Sequence, residues 1–331
     1  MKLFNLAATT VVASVAATVA LAQDEVTFGT NWLAQAGHGG FYQAVADGTY
    51  AEYDLDVEIM MGGPQVNNRP MLPAGRLDFL MGGNMLQAFD AARNGIPTTV
   101  VAGMFQKDPQ AMLAHKGQYA DFADLATAET IYVGKDGQFS FWQWMTANHG
   151  FSDESLQPYA YNIGPFLSDE AAVQQAYATS EPIAASDAGF ETDIFLLADY
   201  GWDTYSTTIE ARTEMVEENP DLVKRFVEAS IIGWYNFLYG DNQAAFDLIT
   251  AANPEMTDEK LAAEIQLLKD LGIVDSGLAL EQGIGAMDPA RTAAFLASLE
   301  EAGIIDAGTV DLDLVADYTF VNQGLGLELR K

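Results

Sequence analysis

A strand–loop–helix–strand unit near the start of the chain constrains the fold more than any other feature. Residues 30–59 read TNWLAQAGHGGFYQAVADGTYAEYDLDVEI and follow an apolar strand predicted at residues 26–29. The helix in this stretch ends at Gly48, and a strand of alternating apolar and acidic residues follows at 55–59. Open α/β sheets are built from such units and bind ligands at the carboxyl ends of their strands, beside helix N-termini. The first crossover loop is therefore predicted to face a ligand.

Three side chains of this unit are candidates for ligand contact. Trp32 lies in the crossover loop, the glycine-flanked His38 begins the helix, and Tyr42 lies in its first turn. Small-molecule sites combine aromatic surfaces with a few placed polar groups, which favours this set. An equally weighted interpretation makes Trp32 and Tyr42 ordinary core aromatics and His38 a helix-start residue.

The pattern W-(x)5-H-x-G-F-Y-x-A, which runs from Trp32 to Ala44, resembles the first segment of periplasmic solute-binding proteins of ABC importers. The similarity is greatest to the branch that binds pyrimidine precursors of thiamine, which is related to binders of riboflavin, alkanesulfonates, taurine and nitrate. Supporting segments follow in the expected order over most of the chain: Gly62-Gly63-Pro64, LDFLMGGN at 77–84, TSEP at 179–182 and NPDLV at 219–223. The resemblance implies a type II periplasmic-binding-protein fold, in which two α/β lobes, each a sheet flanked by helices, hold the ligand in the cleft between them.

Residues 1–22 have the features of a cleavable secretion signal. Lys2 supplies a positive charge, an apolar run follows, and Ala20-Leu21-Ala22 is a cleavage site before Gln23. The apolar run is too short and alanine-rich for a convincing membrane anchor. We therefore expect a mature periplasmic protein that begins near Gln23 and is not embedded in the membrane.

The amino-acid composition excludes several kinds of chemistry. The chain has no cysteine and three histidines, which excludes disulfides, thiolate metal sites, thiol nucleophiles and a lipid anchor on cysteine. No HExxH or nucleophile-elbow motif occurs, so we expect neither a metal nor a cofactor. A pyrimidine-processing enzyme on the same fold is disfavoured, because the yeast pyrimidine synthase of this resemblance has a cysteine-rich iron motif that is absent here. We expect a binding protein and no enzyme.

The charge and length of the chain bear on its partners and its lobes. With 15 basic and 47 acidic residues, the net charge is −32, which argues against nucleic acid as a partner. We expect a monomer that binds a small molecule, and the resemblance implies the membrane permease of an ABC importer as its partner. About 309 residues follow residue 22, enough for two packed lobes. The expected bounds are 23–106 with 206–331 for lobe 1, including the C-terminal helices, and 107–205 for lobe 2.

Strand and helix signals predict most elements of the first lobe. A helix at residues 85–93 has Asn84 at its N-cap position, and a strand follows at 98–105. Residues 65–73 are expected to begin another helix. Later helices are expected from Asn219 to Gly240 and from Thr257, Leu278 and Asp288.

The second lobe is predicted to alternate strands and helices as well. A glycine-containing loop at 134–138 opens a helix rich in aromatic residues, and a further helix is expected at 171–178. The strands are expected at 111–114, 130–133, 159–162 and 194–197.

Further candidate ligand residues lie at the ends of these elements. They are Asn67, Asn84, Phe105, Phe139, Trp142 and Glu181, in addition to Trp32, His38 and Tyr42. Asn84 equally well acts as a helix cap alone, and Phe139 and Trp142, one helical turn apart, are more commonly both core residues. Glu181 precedes Pro182, which favours an extended backbone and a defined side-chain direction.

Two ligand classes are compatible with these residues. An aromatic nitrogen heterocycle, of which a pyrimidine precursor of thiamine is the example that the resemblance favours, would stack on Trp32 and donate to Glu181. A small anion such as a sulfonate or nitrate would depend on helix-start amides together with Arg69 or Arg212. The heterocycle is our expectation, and the anion is the alternative within the same class of protein.

Overall fold

The computed structural model describes residues 23–63 and 66–330, which form two mixed five-stranded sheets. The strands are β1 (Asp24–Gly29), β2 (Leu55–Met60), β3 (Phe79–Met81), β4 (Thr98–Phe105), β5 (Gln110–His115), β6 (Ile131–Val133), β7 (Leu156–Pro158), β8 (Val173–Tyr177), β9 (Thr192–Leu196) and β10 (Ser206–Arg212). The strand order is β2-β1-β3-β10-β4 in the first sheet and β7-β6-β8-β5-β9 in the second. We call each sheet with the helices packed on it a lobe.

Helices cover the sheets and make up most of the chain after β10. They are α1 (Gly39–Ala46), α2 (Thr49–Glu52), α3 (Met85–Arg93), α4 (Lys135–Gln138), α5 (Phe141–His149), α6 (Gly164–Leu167), α7 (Glu181–Asp187), α8 (Thr213–Glu218), α9 (Pro220–Tyr239), α10 (Gln243–Ala252), α11 (Asp258–Asp270), α12 (Ala279–Gln282) and α13 (Pro289–Glu301). No helix among the described residues is both long enough and apolar enough to cross a membrane. The predicted signal peptide at 1–22 lies outside the described residues.

The opening unit of the first lobe forms as predicted. β1 and β2 pair in parallel, with Phe28 opposite Ile59, and Gly48 takes the left-handed conformation (φ +80°) that separates α1 from α2. β3 adds to the other edge of β1 in parallel, and β10 returns antiparallel between β3 and β4. The carboxyl ends of β1 to β4 therefore meet at one edge of the sheet.

The paired glycines that begin α1 allow close packing of two helices. A Cβ on Gly40 would lie 2.2 Å from Trp234 Cγ, and one on Gly39 would lie 2.0 Å from the ring of Phe237. Gly233 of α9 in turn approaches the Gly40 carbonyl, where an added Cβ would lie 2.3 Å from the oxygen. The HGGFY segment is thus a packing motif that seats α1 on α9 without space for side chains at these positions.

Local sequence signals predicted most helices and strands of the first lobe correctly. α3 and β4 have the predicted bounds, and the Asn84 side chain accepts from the Leu86 amide at 3.2 Å as an N-cap. The α-helix predicted at 65–73 is wrong, because the described part of this segment contains only a short 3-10 helix at Arg69–Met71. Pro70 and Pro73 lack the amide protons that a longer helix would need.

Two elements of the second lobe differ from the prediction. The helix expected at 171–178 is instead the strand β8, which hydrogen-bonds to β5 on one side and β6 on the other. This central position gives it partners that override the helix propensity of Ala and Gln. The strand expected at 159–162 ends earlier, as β7 at Leu156–Pro158, and Tyr161 has a positive φ of 57° that no strand accommodates.

Two crossings connect the lobes and meet at one buried carboxylate. Asp108, between β4 and β5, accepts from Asn84 Nδ2 at 2.8 Å and from Trp202 Nε1 on the return crossing at 3.0 Å. Arg291 of α13 also reaches both crossings, donating to the Gln106 carbonyl and to Asp203. These bonds join both connections to the first lobe and the C-terminal helices.

Candidate ligand-binding site between the lobes

A chain of three aromatic rings leads from the first crossover loop to a half-buried carboxylate of the second lobe. Trp32 is half-buried, and its ring centroid lies 5.7 Å from that of Tyr161. Tyr161 in turn lies 5.3 Å from Tyr159, whose hydroxyl donates to Glu181 Oε1 at 3.0 Å. The structure therefore brings Trp32 and Glu181 together at one place between the lobes. Tyr161 is 58% exposed and offers a ring face at this place.

Glu181 is the first residue of α7, so the extended backbone expected before Pro182 is wrong. Proline is compatible with the first turn of a helix because its missing amide proton has no partner there. The carboxylate accepts from the Tyr177 amide at 2.8 Å as well as from Tyr159. Burial raises the pKa of Glu181, and these hydrogen bonds oppose the shift. The side chain is thus a fixed acceptor with a defined direction.

Tyr177, at the end of β8, contacts the other lobe. The side chain of Thr207, at the start of β10, acts on the Tyr177 phenol and lowers its pKa. Burial raises the pKa of Tyr177, and the nearby carboxylates of Asp108, Glu264 and Glu181 raise it further, whereas Thr207 opposes them. Thr207 has a φ of +46°, a strained conformation for a β-branched residue. The phenol of Tyr177 is therefore held in its neutral, protonated form.

Glu264 of α11 holds the first crossover loop. Its Oε2 accepts from the Ala36 amide at 2.8 Å, and the side chain is buried. Burial raises the pKa of Glu264 to about 7, and the Ala36 bond and Lys260 partly oppose the shift. One amide of the loop that carries Trp32 is consequently occupied by a carboxylate of the protein itself.

The two arginines considered for anion binding are both paired inside the first lobe. Arg69 Nη1 lies 3.0 Å from Glu210 Oε1, and its Nη2 donates to the Gln87 carbonyl. Arg212 donates to the Leu77 carbonyl and lies 3.8 Å from Asp78. Each guanidinium therefore already has an acidic or carbonyl partner within the first lobe.

Three predicted site residues lie in the core of the first lobe. His38 is buried, and burial lowers its pKa to about 3, so the ring is neutral; its Nδ1 has no hydrogen-bond partner. Burial raises the pKa of Tyr42 to about 12. Phe105 packs edge-on against Trp234 with centroids 5.4 Å apart. These positions fit the core interpretation given above, and a ligand contact by any of them stays a prediction.

Two neighbouring asparagines in the loop after β2 have different roles. Asn67, the predicted ligand residue, is exposed and accepts from the Arg69 amide at 3.1 Å. Asn68, which the sequence did not single out, is buried and donates to the carbonyls of Thr30 and Met60, at 2.9 Å each. Asn68 thus ties together the carboxyl ends of β1 and β2 beneath the crossover loop.

Phe139 and Trp142 do not share a helix face. Phe139 lies between α4 and α5 and is 64% exposed. Trp142 is buried in α5, where its Nε1 donates to Asp153 at 2.8 Å and its ring packs against Phe151. Asn84, as described, caps α3 and donates to Asp108. Their contact with a ligand stays a prediction.

A groove of about 330 Å³ lies beside the aromatic chain, where α7 faces α11. Pro182 and Ile183 line it from the second lobe, and Lys260 and Leu267 line it from the first. Glu181 is the first residue of one of these helices, and Glu264 lies on the other. In the part of the chain that the structure describes, no three His, Cys, Asp or Glu side chains are grouped to hold a metal ion.

Two α/β lobes joined by two crossings, with an aromatic and acidic site between them, are the architecture of a periplasmic binding protein. The aliphatic sulphonate binding protein SsuA of Escherichia coli has this fold: it superimposes with a TM-score of 0.64 at 13% identity, covering 88% of this chain and 91% of that one. The desulfurization enzyme DSZB also superimposes, with a TM-score of 0.54 at 13% identity over 90% and 97% of the two chains.

Residues 35–244 match the family described as NMT1/THI5 like, and the chain belongs to this family. It is also 26% identical over 314 residues to the riboflavin-binding protein RibY of Chloroflexus aurantiacus, which covers 91% of this chain and 87% of that protein. The predicted resemblance and fold class are thereby confirmed.

Proposed function

We propose that this protein is the substrate-binding component of an ABC importer and captures a small aromatic nitrogen heterocycle in the periplasm. The observation that carries the proposal is the chain from Trp32 through Tyr161 and Tyr159 to Glu181. Aromatic rings supply affinity for a flat ligand, and a half-buried carboxylate accepts from a ring amino or imino group. Because Trp32 and Glu181 come from different lobes, a ligand that contacts both would stabilise a closed cleft.

The favoured ligand class is a pyrimidine precursor of thiamine or a related heterocycle. Membership of the NMT1/THI5-like family and the similarity to a riboflavin-binding protein support this choice. Both riboflavin and an aminopyrimidine present a flat ring with hydrogen-bond donors, which the aromatic chain and Glu181 would match. The ligand is handed to a membrane permease, and the protein acts as a secreted monomer.

A small anion is the second candidate within this class, since the structurally similar SsuA binds aliphatic sulphonates. The paired state of Arg69 and Arg212 favours the heterocycle over the anion. A pyrimidine-processing enzyme is the candidate from another class. The desulfurization enzyme DSZB has a similar fold, so this candidate is tested as well. Incubation with the ligand, followed by mass spectrometry, separates turnover from binding without chemical change.

The test begins with identification of the ligand. Mass spectrometry of small molecules released from the denatured, purified protein is expected to give an aromatic heterocycle. Calorimetric titration with that compound should then show Trp32→Ala weakening binding by about 1–3 kcal/mol, as base–aromatic stacking does. Glu181→Gln should cost about 1–3 kcal/mol, because it replaces a charged acceptor by a neutral amide.

The matched control for Glu181→Gln is Glu154→Gln, which removes an exposed carboxylate from the same lobe. It is expected to leave the affinity unchanged. Tighter binding by Glu181→Gln would refute the heterocycle and support an anionic ligand, since removal of a nearby negative charge favours an anion.

A further inference from the structure

The outgoing crossing, from β4 to β5, is short and stiff. The Lys107 amide donates to the Ile273 carbonyl at 3.1 Å, which anchors this end of the crossing to the C-terminal part of the first lobe. Gln110 begins β5 of the second lobe. Asp108 and Pro109 lie between these two ends. Proline has a fixed φ and restricts the residue before it, so this crossing has few conformations.

The return crossing, from the second lobe to β10, is equally short but contains a glycine. Tyr200 belongs to the second lobe, because its ring stacks on Phe122 with the centroids 4.2 Å apart. Asp203 is bound to the first lobe through its bond to α13. Gly201 and Trp202 lie between them, and Gly201 has a φ of +109°. Glycine adopts such angles and many others without strain, so its backbone can rotate.

The indole of Trp202 contacts both lobes and the other crossing. Its Nε1 donates to Asp108 Oδ2 at 3.0 Å, and the same oxygen accepts from Asn84 of the first lobe at 2.8 Å. The ring packs edge-on against Phe295 of α13, with centroids 5.1 Å apart, and lies 5.6 Å from Trp144 of α5 in the second lobe. Trp202 is fully buried. The indole is thus fixed to the first lobe, and the second lobe packs against it through Trp144.

We infer that the lobes turn about Trp202, with Asp108 as the positioning residue that holds the indole in place. The backbone rotates at Gly201, and Trp144 moves over the indole face as the second lobe turns. The bond from Trp202 to Asp108 ties the glycine-containing crossing to the stiff one, so the two crossings act as a single hinge. This inference rests on the lobe closure of the proposed function and not on the class of ligand.

The test measures the distance between the lobes in the full chain. The sequence has no cysteine, so Glu52→Cys in the first lobe and Glu154→Cys in the second, both exposed positions, can carry two nitroxide spin labels without background labelling. Pulsed electron paramagnetic resonance then gives the distribution of distances between the labels. Trp202→Phe keeps an aromatic ring and removes the indole N–H. We expect it to broaden this distribution and to extend it to longer distances.

The matched control is Trp142→Phe, which also removes a buried indole bond to an aspartate. Trp142 Nε1 donates to Asp153 at 2.8 Å, and both residues lie within the second lobe. This variant should leave the distance distribution unchanged. Hydrogen exchange of peptides spanning residues 198–204 should accelerate by about fivefold in Trp202→Phe, the factor expected for the loss of one hydrogen bond. It should stay unchanged in Trp142→Phe.

Asp108→Asn approaches the same bond from the acceptor side. It keeps the size of the side chain and replaces a charge-assisted bond by a neutral one, so it should broaden the distribution less than Trp202→Phe does. Thermal unfolding checks that each variant folds, and Asp108→Asn provides the test if Trp202→Phe does not.

Distributions like that of the natural protein in both hinge variants would overturn the inference and leave the proposed function standing. Equal broadening in Trp142→Phe would overturn it as well, because general loosening of the packing would then explain the result. Failure to identify a heterocyclic ligand would refute the proposed ligand class without changing any of these distances.

Discussion

The two lobes share an architecture but differ in how strongly local sequence determines them. In the first lobe, α3 and β4 begin and end where capping and alternation predict, and the HGGFY segment packs α1 directly on α9. In the second lobe, β8 was expected to be a helix and β7 was expected several residues later. Short strands carry few local signals, so their structure depends on the neighbours that pair with them.

The less locally determined lobe contributes more of the candidate site. Tyr159, Tyr161, Tyr177 and Glu181 all belong to it, whereas the first lobe contributes Trp32 and Thr207. Three of the first lobe's other predicted residues, His38, Tyr42 and Phe105, are buried in it.

The largest expected effect tests the packing of the first lobe. Gly40→Ala would place a Cβ 2.2 Å from Trp234, so we expect a loss of about 3 kcal/mol in the free energy of unfolding. Gly37→Ala, three residues earlier in the chain, is the control, because its Cβ would lie no closer than 3.5 Å to any neighbouring atom. Urea denaturation measures both. Similar stabilities for the two variants would mean that the α1–α9 contact is looser than described.

The next test concerns the contact between α11 and the crossover loop. It measures how the stability of the protein depends on pH. The folded protein keeps the Glu264 proton up to about pH 7, while the unfolded chain releases it near 4.5. Between these values the folded state binds more protons, so stability falls as pH rises. The contribution is fully present below about pH 4.5 and is lost as pH rises through about 7.

Glu264→Gln cannot titrate and should be more stable than the natural protein at pH 8 by about 3 kcal/mol. The difference should vanish near pH 4.5, while Asp270→Asn, which removes an exposed charge from the same helix, should follow the natural protein throughout. Chemical denaturation from pH 4.5 to pH 8 gives these curves. Parallel curves for Glu264→Gln and the natural protein would contradict the assigned pKa.

The smallest effect tests the second lobe, where neighbouring glutamines of β8 have opposite environments. Gln174 is buried and neither polar atom of its amide has a hydrogen-bond partner. Gln175 accepts from the Gly134 amide at 2.7 Å and donates to Gln110. We expect Gln174→Met to raise the free energy of unfolding by about 1 kcal/mol and Gln175→Met to lower it by about 1 kcal/mol. Thermal denaturation distinguishes the signs, and equal changes would contradict the described register of β8.

The sequence by itself determined the features that depend on neighbours along the chain. These include the strand–helix–strand unit, the glycine that ends α1, the Asn84 cap and the long helix α9. That Trp32 and Glu181 are the two sides of one ligand site stays a prediction. Capping, periodicity and turn chemistry act over a few residues, and for that reason they can be predicted from the amino-acid sequence alone.

Only the tertiary structure decided which side chains meet between the lobes. Ala36 and Glu264 are 228 positions apart, and Tyr177 reaches Thr207 only because β10 returns to the first sheet. The same packing makes β8 a central strand and buries His38, Phe105 and Trp142. Burial and long-range pairing depend on the whole fold, and they set both the structure of short segments and the charge state of the site.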